Sequence, residues 1–231
     1  MEAPNAVRQY HAVVKQMEQA CAAVSREKDA VRLVGVTKTV DPTLINAVLD
    51  AGLTVIGENR VQEFLGKYEQ YRWEGKEVHF IGTLQKNKVK YLIDKGDMIE
   101  SVDDLALAKE IDKRSAGIGK VMPVLIQVNI DRQESKSGID PDEAIDFMKQ
   151  AALLANIRIK GLMCIPDPLK TPKSFEQMKM LFEAIKEEKL PGIEMEELSM
   201  GMSGDYTEAI RCGATLVRVG RGIFGERNYA I

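Results

Sequence analysis

Lys38 closes a short run, Leu33-Val34-Gly35-Val36-Thr37, whose small and β-branched residues suit a buried strand. Just beyond it, Asp41-Pro42 is a helix start, an N-cap acid followed by proline at the first helical position. A lysine between the two lies at the strand's C-terminal end, the face on which parallel α/β folds bind ligands. An amine partly withdrawn from water there has a lowered pKa, and its neutral form attacks a carbonyl to give an imine. Taken alone, the stretch 33–39 reads more readily as a strand ending in an exposed surface lysine. Far downstream, Ser199-Met200-Gly201-Met202-Ser203-Gly204-Asp205 sets two glycines and two serine hydroxyls ahead of a helical pattern, the ingredients of an anion cradle. Arg218-Val219-Gly220-Arg221-Gly222-Ile223-Phe224-Gly225 adds the amides of Gly220 and Arg221, with the Arg221 guanidinium as a further clamp. Either glycine cluster alone is an ordinary turn. Together with a strand-end lysine they outline an amine facing an anion site. Arg218 lies inside an otherwise apolar strand and stays charged, so it requires a partner.

Positioning such groups takes a repeating scaffold. Val7, Tyr10, Val14, Met17 and Cys21 are spaced as on a helix, which predicts an opening helix over 3–25. Strand patterns follow at 32–37, 54–57, 77–81, 98–100, 122–128, 157–163, 196–199 and 215–219. They alternate with helical patterns at 42–51, 60–71, 86–94, 103–115, 141–155, 172–187 and 205–212. Eight strands alternating with helices, with short connections, predict an α/β protein, a single (β/α)8 TIM barrel with an extra N-terminal helix. An open doubly wound sheet shares this periodicity and stays as the alternative. In barrels the loops after strands seven and eight frequently hold phosphate, and both glycine clusters fall there. No repeat or composition shift marks a boundary, so 1–231 reads as one domain, with the proline-rich stretch 166–172 as a loop over the barrel mouth.

The 231 residues are 45% hydrophobic, enough to bury a full core. A net charge of -3 is a poor match to a nucleic-acid backbone. Three dispersed cysteines and two separated histidines, with no Cys-x-x-Cys pair, argue against a zinc site and for a reducing compartment. The N-terminus lacks a signal-peptide pattern, and no apolar run reaches the length of a membrane span. The expectation is a soluble cytoplasmic protein with no nucleic-acid or membrane partner.

Further polar residues gather at the expected mouth. Glu58 and Asn59 end the second strand, as mouth residues or as plain helix-start residues. His79, in the third strand, is a core histidine or a site residue. Lys86, Lys88 and Lys90 read as a solvated face, Lys136 in the polar loop 129–138 as an exposed second amine, and Cys164 as buried. With these on the page, 36–39, 56–63, 79–88, 134–138, 198–203 and the stretch from Val217 to Gly225 resemble the pyridoxal-phosphate homeostasis proteins, single-domain relatives of the alanine racemase barrel domain. The resemblance runs in order over nearly the whole chain. It implies an alanine racemase N-terminal-domain-like barrel holding pyridoxal 5'-phosphate (PLP) as an internal aldimine on Lys38. It further implies that Ser203 and the Gly220 and Arg221 amides grip the phosphate, that Arg218 faces the pyridine nitrogen, and that Asn59 and His79 line the ring pocket. Ser199, Met200 and Gly201 complete the expected cofactor-binding set. Two residues depart from the pattern: Thr83 replaces a common histidine or proline, and Arg221 replaces a small hydroxyl residue.

PLP acts on amino acids as an electron sink, most effectively with a protonated ring nitrogen. A permanently cationic Arg218 at that nitrogen disfavours the protonation. Two-base racemisation also needs a second proton carrier, which alanine racemases draw from a separate β domain. The 231 residues leave none for such a domain, and Tyr206, the conceivable substitute, is expected to pack or to face solvent. The resemblance therefore implies a binding protein of vitamin B6 homeostasis, without catalytic residues and with a monomer favoured, that releases PLP or delivers it to apo-enzymes. A PLP-dependent amino-acid racemase of low activity is the alternative. A Schiff-base aldolase without cofactor is the third reading.

Overall fold

Closure is decided at β1 (Arg32–Val36), which pairs in parallel with β2 (Val55–Glu58) on one side and with β8 (Leu216–Val219) on the other. Between them run β3 (Glu77–Phe80), β4 (Met98–Val102), β5 (Met122–Gln127), β6 (Ile157–Met163) and β7 (Ile193–Met202), giving a closed barrel in sequence order. The structure, a computed structural model, describes residues 1–226. Residues 227–231 of the expected domain lie outside the described residues. An open doubly wound sheet would not pair β1 with β8, and their parallel register, Val34 with Arg218, rules it out.

Side chains alternate along each strand, so pairing register assigns the barrel interior. Val34, Val55, Met98, Leu125, Met163 and Leu216 form an apolar cluster separate from the larger core, one residue from each of six strands. His79 is in register with Met98, and Ser199 with Leu216, so both face inward beside that plug. Glu100 and Arg218 follow Met98 and Leu216 by two positions and share their face. The larger core fills the space between barrel and helices.

Among the described residues, α1 (Ala3–Ala22) packs against α2 (Pro42–Asp50), α8 (Tyr206–Arg211) and α9 (Arg221–Phe224). The others are α3 (Val61–Lys67), α4 (Val89–Leu92), α5 (Leu105–Ala116), α6 (Ala144–Ala151) and α7 (Lys173–Glu187). The α2 start is as read from sequence: Asp41 accepts the Thr43 amide at 2.8 Å and Pro42 opens the helix. No helix among the described residues is long and apolar enough to cross a membrane.

Several helices are shorter than expected, α1, α4 and α6 among them, and two differences bear on packing and on the site. The pattern over 60–71 breaks into α3 and a 3-10 turn at Tyr68–Gln70, because Tyr71 and Trp73 turn back to pack beside Phe64. More consequential for function, β7 runs through Met202, so Ser199, Met200 and Gly201 are strand residues and the turn begins only at Ser203. Gly201, at φ +91, makes this possible: a Cβ there would lie 2.5 Å from Ala209 Cβ on α8.

Candidate functional site

Lys38 stands in the tight turn that ends β1, and the neighbouring β2–α3 unit holds that turn from three sides. The Thr37 amide donates to the Gly57 carbonyl at 3.1 Å, and its hydroxyl donates to Glu58 Oε1 at 2.6 Å. Lys67 Nζ donates to the Thr37 carbonyl at 3.2 Å, and the Thr39 amide donates to Glu63. Thr39 takes a left-handed φ of +61, which orders the turn tightly enough for Val40 to donate to the Thr37 carbonyl at 3.1 Å. Glu58 is fully buried and also accepts the Tyr71 hydroxyl at 2.9 Å; burial pushes its carboxyl above the usual range, against those hydrogen bonds. Sequence reasoning left Glu58 between two readings and passed over Glu63, Lys67 and Tyr71. The Glu63–Lys67 spacing of one helical turn was the available signal.

Across the mouth, Gly220 begins the β8–α9 turn. A Cβ on Gly220 would lie 3.2 Å from Val36 Cβ, so glycine lets this turn press against the end of β1. Its amide and that of Gly222 donate to Ser203 Oγ, at 3.3 and 3.2 Å. With its lone pairs engaged, the Ser203 hydroxyl keeps its proton for an acceptor in the pocket.

Between these edges lies a cavity of about 250 Å³. Lys38, Asn59, Ser203, Arg218, Gly220 and Arg221 line it, together with apolar Val36, Ile81 and Ile165. A second recess of about 280 Å³, toward Asp41 and Phe224, shares Lys38, Gly220 and Arg221. Arg218 is 3% exposed; its Nη1 donates to Ser199 Oγ at 2.7 Å and its Nη2 to the Cys164 carbonyl at 2.8 Å. Asn59 Oδ1 is buried at the cavity wall and has no hydrogen-bond partner among the described residues. That combination fits a ligand with a hydrogen-bond donor for Asn59, a carbonyl for the amine and an anionic group.

Four expected site residues lie elsewhere. His79 sits one layer deeper inside the barrel, since Ile81, two residues on along the same face, occupies the pocket position. Its Nδ1 lies 2.6 Å from Glu100 Oε1. Ser199 is likewise one layer down, donating to Glu100 Oε2 at 2.5 Å. Met200 points outward into the helix-facing core, and Gly201 backs onto α8. None of the four is among the residues lining the cavity: His79 and Ser199 lie beneath it, and Met200 and Gly201 face the helices behind β7. Glu100 was missed, although a carboxylate within the apolar strand Met98–Val102 is the same signal that singled out Arg218.

Of the remaining candidates, Lys136 Nζ donates to the Ile165 carbonyl at 3.1 Å, tying the β5 loop to the mouth. Cys164 is fully buried, and burial pushes its thiol up to about 12. Tyr206 packs against α1 with its hydroxyl donated to Gln16.

Residues 8–228 match the alanine racemase N-terminal domain family. The pyridoxal phosphate homeostasis protein of Aquifex aeolicus is 41% identical over 229 residues, covering 97% of this chain and 100% of that protein. The protein of the same name from Haemophilus influenzae is 37% identical over 94% of each chain. PipY of Synechococcus elongatus, solved with PLP bound, superimposes with a TM-score of 0.79 at 31% identity, over 90% of this chain and 100% of that one. Alanine racemase from Streptomyces coelicolor shares the fold, with a TM-score of 0.73 at 17% identity over 95% of this chain and 58% of that one.

Proposed function

Because the chain belongs to the pyridoxal phosphate homeostasis proteins, a family built on the alanine racemase N-terminal domain, we propose that the cavity beside Lys38 is where it holds PLP. The protein is a PLP-binding protein of vitamin B6 homeostasis. When bound, PLP supplies a reactive aldehyde on an electron-withdrawing ring. Lys38 is the amine that takes the aldehyde, held at the rim by the hydrogen bonds on Thr37 and Thr39. The Ser203 hydroxyl and the Arg221 amide receive the phosphate, joined by the Gly220 amide once it turns from Ser203 Oγ to that anion, while Asn59 Oδ1 accepts the ring hydroxyl and Arg218 faces the ring nitrogen. His79 and Ser199 act beneath that pocket.

The observation that carries the reading is the gathering of Lys38, Asn59, Ser203 and Arg218 around one small cavity, with an unpartnered buried oxygen among them. The role we assign is storage and handover to apo-enzymes in the cytoplasm, by a monomer whose single domain spans 1–231. A racemase reading needs a second proton carrier over the ring, and the engagement of Tyr206 with Gln16 speaks against the one candidate. The test is optical. Purified protein with added PLP develops a visible band that Lys38→Ala lacks; colourless wild type after PLP addition would return the aldolase reading. Incubation with single amino-acid enantiomers in deuterated water leaves the α-proton in place, and rapid exchange would make the protein an enzyme.

A further inference from the structure

The barrel interior below Arg218 holds charges that no direct ligand contact uses. Glu100 on β4 is fully buried, with Oε2 receiving the Ser199 hydroxyl at 2.5 Å and Oε1 facing His79 Nδ1 at 2.6 Å. Ser199 Oγ in turn receives Arg218 Nη1 at 2.7 Å. On the far side, His79 Nε2 lies 3.4 Å from Glu77 Oε2, and Glu77 pairs with Arg32 at 2.6 Å. Glu197 on β7 reaches the same Arg32 at 4.0 Å. Five strands thus pass one chain of polar and charged side chains from the pocket floor to the opposite end of the barrel.

Proton supply gives the chain a direction. A guanidinium only donates, an ionised carboxylate only accepts, and a serine hydroxyl has one proton. Receiving from Arg218, Ser199 turns its proton to Glu100, and His79 Nδ1 carries the proton that meets the other oxygen. Burial opposes ionisation of Glu100, but the hydrogen bond and charge of His79, the charge of Arg218 and the Ser199 hydrogen bond hold its carboxyl below the usual range. Among the described residues Arg218 has no direct ion pair; a buried charge needs compensation, and Glu100 is the carboxylate linked to it, one hydroxyl away.

We propose that Glu100 is a positioning residue for the cofactor: through Ser199 it holds the Arg218 guanidinium toward the pocket and offsets its charge, while His79 holds Glu100. This rests on the reading that the pocket takes PLP.

The experiment compares full-length wild type, Ser199→Ala and Glu100→Gln. Ser199→Ala retains PLP about tenfold less tightly, the scale of one hydrogen bond to a charged group. With the offsetting charge gone, the pH midpoint of the bound cofactor's visible band falls by about one unit in Glu100→Gln, since Arg218 then repels a further proton on the cofactor more strongly. Without PLP, the His79 ring resonance, one of only two histidine signals, titrates lower in Glu100→Gln and unchanged in Ser199→Ala. A merely structural contact would lower thermal stability and leave the midpoint alone. Variants with wild-type midpoint and retention within about twofold overturn the proposal while PLP binding stands. If wild type itself takes no PLP, both fall. Should Glu100→Gln not fold, Ser199→Ala decides by the same limits.

Discussion

A buried oxygen without a donor costs on the order of 1–3 kcal/mol, and Asn59 Oδ1 carries that cost at the pocket wall. Asn59→Ala is therefore expected to leave thermal stability without PLP unchanged or slightly higher, while loosening PLP retention about tenfold; equilibrium titration and melting curves read both. Arg221 is a different case. Its side chain is 60% exposed and lies 3.8 Å from Glu226, and the residue is part of the cavity lining. Arg221→Ala should weaken PLP retention by no more than a few fold and leave the visible band intact, because a screened cation adds little to backbone amides. At this scale the sequence was legible wherever a residue type conflicted with its surroundings. Arg218 within an apolar strand and Lys38 at a strand end were such conflicts. For His79 the residue type fits a pocket and a core equally, and only the strand register, with Ile81 at the mouth and His79 below it, gives its depth in the barrel.

The element that matters most is the turn from Thr37 to Val40, which has no stabilising core of its own and is fixed by α3 and its flanks. Thr37→Val keeps the shape and removes the hydroxyl, leaving Glu58 with the Tyr71 contact. The expected loss is about 1–2 kcal/mol in urea unfolding, with slower appearance of the visible band on PLP addition. An unchanged rate would show that the turn is held by its backbone alone. Element order and strand count were readable from alternating hydrophobic patterns. The ends of β7 were not, because Gly201 reads equally as a loop glycine and as a strand glycine under a close-packed helix.

Across the whole molecule, the charges inside the barrel couple folding to pH. Burial lowers the affinity of His79 for its proton, but hydrogen bonds to Glu100 and Glu77 outweigh it and push the pKa up from 6.5 to about 9. A group raised on folding contributes stability that is complete below its unfolded value, so this contribution is present below about 6.5 and lost as the pH climbs to about 9. Glu77, lowered to about 2 by its His79 hydrogen bond and by Arg32, acts in the other direction: its contribution holds above the usual carboxylate range and disappears as the pH falls through about 2. Urea titrations should show stability declining from neutral to alkaline pH in wild type, with the decline removed in His79→Gln. Barrel closure, by contrast, was beyond periodicity, which cannot see that β1 meets β8. At the mouth of that barrel one particular amine, that of Lys38, is proposed to bond the cofactor. Borohydride reduction of the PLP-loaded protein, followed by peptide mapping, tests it most directly. The phosphopyridoxyl label is expected on the peptide carrying Lys38, and a label on Lys136 or another lysine, with Lys38 unmodified, would overturn the assignment of that amine.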